Sequence, residues 1–399
     1  MFLKKLIRYN PHFIEASINL HQAGKIPPNS YILDLDMMQT NARIMADEAK
    51  RLGLKIFAMS KQFGRNTKAF QALEAGGIEH YVAVDMACAR PIHNAGYQVG
   101  HIGHLVQVAR TEALEVARMK PNYWTVFSHE KAREAATASK ELGHTQQFLA
   151  RIYADEDTFY MGHEGGFQAS DILSVADAID ALPNAKFAGI TTFPALLFDP
   201  ATNKVGATPN LKTLENAAKA LRKAGRKHIE INAPGTTSSE VMAMLASAGA
   251  TQVEPGHGLT GSTPLHAVRD LPEKPAMLYL SEISHIHQGH PYCFGGGFYI
   301  DPVFPDYDVK TLVGADAKTA FKNSITATLP PPSAIDYYGI LEPNSKYPVR
   351  VGDSVIFGFR AQAFVARANI VPVSGISSGV PKVEGIWAPN GQLLNYPSY

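Results

Sequence analysis

One pattern constrains this chain more than any other: from Tyr31 to about Gly261, a short apolar run, a few polar or glycine residues and an amphipathic stretch repeat as a unit. Alternating strand and helix signals imply parallel pairing, because a parallel neighbour is reached through a crossover connection. Nine strand candidates fall in this region: 31–35, 55–59, 80–84, 101–107, 123–127, 147–153, 187–193, 228–232 and 251–254. Eight strands close a barrel. The first candidate stands apart: Asp34 and Asp36 interrupt its apolar residues, whereas a barrel strand, buried on both faces, reads as nearly continuous apolar sequence. It is assigned to the second domain, and a TIM-type (β/α)8 barrel begins at Lys55-Ile56-Phe57-Ala58-Met59.

After Gly261 the texture changes to prolines (Pro330-Pro331-Pro332) and β-rich runs such as Ser354-Val355-Ile356-Phe357, with little helical period. This predicts a mainly antiparallel β domain, with 303–333 as an insertion. Ahead of the barrel, Leu6, Phe13, Ile14, Ala16, Ile18 and Leu20 sit at helical spacing before the break at Gly24 and Pro27-Pro28 and predict a lead-in helix. The expected boundaries are 1–27, 28–265 and 266–399. A formal charge of +1 with 18% charged residues gives no electrostatic case for a nucleic-acid partner. Two cysteines, Cys88 and Cys293, are too few for a disulfide framework and fit a reducing compartment such as the cytoplasm. Tyr9-Asn10-Pro11-His12 interrupts any signal-peptide core, and no run approaches the ~20 apolar residues of a membrane span.

Lys61 falls just past the end of the first barrel strand, on the face where barrels of this kind carry their chemistry. A lysine desolvated there loses its charge, and its neutral amine condenses with aldehydes; the alternative is a solvated loop lysine. The loops after strands seven and eight suit a phosphate, which backbone N–H groups and a helix start can cradle. The first reads Asn232-Ala233-Pro234-Gly235-Thr236-Thr237-Ser238 and the second Glu254-Pro255-Gly256-His257-Gly258. Ordinary caps and turn glycines are the competing explanation.

Several stretches together resemble the alanine-racemase-like, fold-type III pyridoxal 5'-phosphate (PLP) enzymes, and in detail their YhfX-like branch. They are Tyr31-Ile32-Leu33-Asp34-Leu35-Asp36 with Asn41, Ala58-Met59-Ser60-Lys61-Gln62-Phe63-Gly64-Arg65-Asn66, Gly103-His104-Leu105-Val106-Gln107, Glu254-Pro255-Gly256-His257, Tyr292-Cys293-Phe294-Gly295-Gly296-Gly297 and Ile335-Asp336-Tyr337-Tyr338. The resemblance implies a Schiff base on Lys61, a quinonoid intermediate and amino-acid racemisation. It also implies a head-to-tail homodimer whose subunits complete one another's sites. Cofactor contacts are expected from Lys61, His104, Thr192, Asn232, Thr236, Thr237, Ser238, Glu254, Gly256 and His257.

The departures from the family pattern carry information. Glu254 matches a position where alanine racemase has an arginine; a carboxylate there keeps the pyridine nitrogen protonated and strengthens the ring as an electron sink. Where relatives stack a histidine on the ring, Gly189-Ile190-Thr191-Thr192-Phe193 offers Thr192 or Phe193, so His104 is a candidate for that face, and Gln107 either bonds the cofactor or caps its strand. Racemisation needs a second acid/base opposite Lys61. Relatives draw it from the β domain as tyrosine, for racemases, or cysteine, for decarboxylases; here Tyr292 and Cys293 are adjacent, and both stay open. The stretch His290-Pro291-Tyr292-Cys293 supplies two potential metal ligands without partners, so no metal is assigned. Arg65, Arg151, Asp336 and Tyr337 are the candidate substrate contacts, and Glu164 at the mouth would favour a basic side chain. A PLP-dependent decarboxylase and a non-catalytic PLP carrier remain the alternatives to a racemase.

Overall fold

The computed structural model describes residues 1–299, 308–331, 333–344 and 346–396. The chain divides into two compact units, Ile44–Ser60 with Gly77–Gly256, and Met1–Arg43 with Lys61–Gly76 and His257–Tyr399.

Parallel strands build the first of these units, in the order His80–Ala83, Gln98–Ile102, Tyr123–Val126, Gln146–Tyr153, Ala185–Thr191, Glu230–Asn232 and Gln252–Val253. The strand that closes the ring comes in two pieces. Lys55–Ile56 pairs with Gln252–Val253 and Ala58–Met59 pairs with His80–Ala83, so eight strands form the expected barrel. The third strand ends earlier than its apolar run suggests. Gly103 adopts a left-handed φ of +79°, and a Cβ on it would lie 2.6 Å from the Thr125 carbonyl oxygen, so the chain turns there. Gln107 secures the turn: its Nε2 donates to the carbonyls of Gly103 and Thr125, and its Oε1 accepts from Phe127 N. Gln107 therefore caps its strand.

Among the described residues, a nine-stranded, mainly antiparallel sheet organises the other unit. Its members include Ser30–Asp34, antiparallel to Met277–His287 and parallel to Asn369–Ser374, so this strand pairs outside the barrel. The two acids that set it apart have local work. Asp34 accepts from Asn10 Nδ2 at 2.8 Å and from Met37 N, while Asp36 accepts from Gly375 N and Ser377 N.

Two expectations need correction. The lead-in is two helices, Phe2–Tyr9 and Pro11–Gln22, because Pro11 has no N–H to extend the first and opens the second. Their Leu3, Leu6, Phe13, Ile14 and Ile18 join Ile32, Leu278, Leu280 and Ile356 in one buried cluster. The stretch 303–333 is no insertion over its described part: Val309–Gly314 and Ser324–Thr328 pair with each other, and the former also pairs with Ser354–Phe357. Residues 303–307 and 332 of that stretch lie outside the described residues. Among the described residues, no helix is long and apolar enough to cross a membrane.

Candidate active site

Parallel strands bring their carboxyl ends to one rim, and four of them aim polar side chains inward there. Asn232 ends the seventh strand and Glu254 follows the eighth; His101 comes from the third and Thr125 from the fourth. All four are buried completely or nearly so. Glu254 Oε1 accepts from Asn232 Nδ2 at 2.9 Å and is hydrogen-bonded to His101 Nδ1. The other imidazole nitrogen of His101 bonds Thr125 Oγ1 at 2.5 Å, and Asn232 Oδ1 accepts from Thr191 Oγ1 at 2.7 Å.

Burial by itself would raise the Glu254 carboxyl, but His104 and His101, with the hydrogen bonds from His101 and Asn232, bring it down to about 2. It is an anion at every ordinary pH. Its second oxygen, Oε2, is buried and has no hydrogen-bond partner among the described residues; His104 Nε2 approaches it at 3.5 Å. A buried carboxylate with one saturated and one open oxygen fits a cationic N–H donor such as a protonated pyridine nitrogen. Among the described residues, His101, His104 and Glu254 are also the group of potential ligands whose donor atoms lie within 4.8 Å of one another. Their closest contact is the hydrogen bond between His101 Nδ1 and Glu254 Oε1.

His104 lies two residues past its strand, buried, with its ring edge-on to Phe193 at 5.6 Å. Thr192 is buried and its Oγ1 accepts from Asn210 Nδ2, so its hydroxyl serves the barrel wall. Asn232, expected among the phosphate-loop residues, acts through Glu254 instead. In the loop after it, Thr237 Oγ1 donates to the Gly235 carbonyl, and Thr236 N donates to Leu196 O. Ser238 is the N-cap of the helix Ser239–Ser247 but makes no side-chain cap bond. An N-cap serine at the start of a nine-residue helix is the kind of position that suits a phosphate. Gly256 is buried in the turn that follows Glu254.

Lys61 opens a short 3-10 turn, Lys61–Phe63, directly after the first barrel strand; its ammonium lies 5.0 Å from the centroid of the Phe364 ring. Gly64, φ +68°, lets this turn lie against Ile370, whose Cγ1 would be 2.5 Å from a Cβ. Arg65 spans the same region: its Nη1 donates to Pro389 O at 3.1 Å and its guanidinium covers Phe364. His257 is committed through one ring nitrogen. Burial, then the nearby Arg360 and Lys61 charges, hold it neutral, and Nε2 donates to Ala361 O at 2.9 Å, so it pins its loop to its own unit.

Tyr292 and Cys293 share the strand His290–Phe294 and so face opposite ways. Tyr292 is half-buried and stacks on His285 at 4.6 Å, beside Tyr338. Cys293 is fully buried and burial pushes its thiol up to about 12. Asp336 is a clamp: Oδ2 accepts from Gly296 N and Phe298 N, and Oδ1 from Arg367 Nη2 at 2.7 Å. Tyr337 is exposed, its ring beneath the Arg367 guanidinium.

Arg151 is also corrected. It is 1% exposed, donates to the carbonyls of His104, His163 and Phe193, and lies over the Phe127 ring; burial lowers it to about 10. A guanidinium so enclosed holds three loops together.

The fold and this rim define a class, and sequence comparison agrees. Residues 33–264 match the model for the alanine racemase N-terminal domain, and residues 278–383 match the YhfX-like C-terminal domain. The chain belongs to the alanine-racemase-like family of fold-type III, PLP-dependent proteins, in its YhfX-like branch. It is 38% identical over 400 residues to the protein YhfX of Escherichia coli (strain K12), an alignment covering 99% of this chain and 100% of that one. Among solved structures it resembles D-threonine aldolase from Filomicrobium marinum (TM-score 0.66, 15% identity, 92% and 96% of the two chains). It also resembles alanine racemase of Clostridium difficile 630 in complex with cycloserine (0.63, 17%, 90% and 98%). A third likeness is D-threo-3-hydroxyaspartate dehydratase from Delftia sp. HT23 (0.64, 17%, 90% and 97%). At these identities the solved structures establish the fold.

His101 is the site residue that sequence reading missed. Its signal was a histidine opening the third barrel-strand candidate, where a polar group requires a buried partner.

Proposed function

We propose that this chain is a PLP-dependent amino-acid racemase working as a head-to-tail homodimer in the cytoplasm, with Lys61 as the covalent anchor of the cofactor and Tyr292 of a second subunit as the opposing acid/base. The observation that carries the choice of reaction is the burial of Cys293. A thiol raised to about 12 on the core side of its strand is a poor proton donor, which disfavours the decarboxylase alternative and leaves the half-buried Tyr292.

When bound, PLP supplies an electron sink for charge developing at the substrate Cα. Glu254 supports it by presenting an anionic Oε2 to the ring nitrogen, while Ser238 and the helix start at Ser239 bind the phosphate, with the Thr236 and Thr237 segment shaping that loop. Lys61 takes a proton from one face of Cα and Tyr292 returns one to the other. His104, near Oε2 and against Phe193, borders the ring. Arg65, four residues after Lys61 with its guanidinium on Phe364, is assigned to a substrate carboxylate.

The test is an absorbance spectrum of the purified protein with PLP before and after borohydride, with Lys61→Ala as control, then an amino-acid panel in deuterated water. A reducible visible band absent from the mutant, with deuterium at Cα, both enantiomers and no carbon dioxide, supports racemisation. Carbon dioxide release would make it a decarboxylase, and a band without exchange a carrier. If the wild type gives no band, the reading fails.

A further inference from the structure

The rim of the barrel contains a second imidazole that no substrate could reach. His101 is fully buried and bonded through both ring nitrogens, to Glu254 Oε1 and to Thr125 Oγ1. An ionised carboxylate offers only lone pairs, so the proton of that contact resides on His101 Nδ1. Thr125 is fixed in turn, its carbonyl held by Gln107 Nε2 at 3.1 Å.

We propose that His101 is a positioning residue for the cofactor ring: with Asn232 it saturates Oε1 of Glu254, keeping the carboxylate ionised and turning Oε2 toward the pyridine nitrogen. This rests on the reading of Glu254 as the ring-nitrogen partner. Three observations support it. The two carboxylate oxygens are unequal, Oε1 having two hydrogen-bond partners and Oε2 none among the described residues. The donors to Oε1 come from opposite parts of the barrel, Asn232 on the seventh strand and His101 on the third, so the carboxylate cannot rotate without breaking one. The charged and titratable groups facing Glu254 are His101 and His104, so its ionisation depends on imidazoles rather than on the arginine or lysine that usually pairs a buried acid.

The roles of the two ring nitrogens separate in a test. Asparagine at 101 places an N–H where Nδ1 stands and glutamine places one where Nε2 stands, so only the former reaches Glu254. The readout is the chemical shift of the ring nitrogen in protein loaded with 15N-labelled PLP, with loading checked by the reducible band and folding by thermal unfolding. We expect a protonated ring nitrogen in the wild type and in His101→Asn, and a shift toward the unprotonated form in His101→Gln and His101→Ala. Turnover should fall about tenfold or more in the latter two, with KM little changed. Should the alanine variant fail to fold, the asparagine and glutamine pair still decides. An identical ring-nitrogen signal in the wild type and His101→Gln, with the band present, would overturn the positioning role and leave the PLP reading intact. A stoichiometric divalent ion retained by the wild type and lost from His101→Asn would also overturn it, by making His101 a ligand. No band in the wild type would instead remove the underlying reading of the site.

Discussion

Asn232 Nδ2 lies 2.9 Å from Glu254 Oε1, and this bond joins the ends of the seventh and eighth barrel strands around a buried anion. The anion's folded value of about 2 lies below the ~4.3 of an unperturbed glutamate. A depressed carboxylate contributes stability that is present above pH ~4 and lost as pH falls toward 2. Glu254→Gln should therefore flatten the acid side of the stability profile, measured as melting temperature from pH 2 to 6. It should also weaken turnover by at least about tenfold, because an amide cannot keep the ring nitrogen protonated. A variant with wild-type acid sensitivity would show that Glu254 is not the titrating group.

Cys293 should be chemically inert in the folded protein. With its thiol at about 12, roughly one molecule in ten thousand carries the thiolate at pH 8. Iodoacetamide should therefore leave it unlabelled until the protein is unfolded. Tyr292→Phe should slow racemisation by about 100-fold or more, and Cys293→Ser by far less. The reverse order would restore the decarboxylase reading.

Arg151 should behave as a structural cation. Arg151→Met removes the donors of three carbonyls, one buried and two partly buried, and an unsatisfied buried group costs about 1–3 kcal/mol, so a loss of about 2 kcal/mol or more in denaturant unfolding is expected. A stable variant with only a raised KM would instead make Arg151 a substrate contact.

Asp336→Ala should destabilise the protein by about 2 kcal/mol, because it frees Gly296 N, Phe298 N and Arg367. Tyr337→Phe, at an exposed ring, should leave the melting temperature unchanged. If Asp336→Ala kept its stability and lost substrate affinity, the clamp would be secondary to a direct contact.

The sequence was informative wherever a property repeats along the chain. Strand spacing gave the eight-stranded barrel, and the interrupting Asp34 and Asp36 excluded Ser30–Asp34 from it, because burial on both faces leaves a periodic trace in neighbouring residues. Pro11 splitting the lead-in was visible as a residue, whereas the bond from Asn10, at the break, to Asp34 was not. The strands within 303–333 were obscured by the prolines around them.

By itself, then, the amino-acid order determined the barrel, the β domain, the family and the candidacy of Lys61 and Glu254, all of them expressed in local pattern or motif. Only the tertiary structure decided which polar groups meet. His101 and Glu254 are 153 residues apart in the chain, and closing the barrel makes them partners. The same closure enclosed Arg151, while the sheet of the other unit buried Cys293 and tied Asp336 to its neighbours. A side chain's role follows from what it is bonded to and whether water reaches it, and neither is written in the residues beside it.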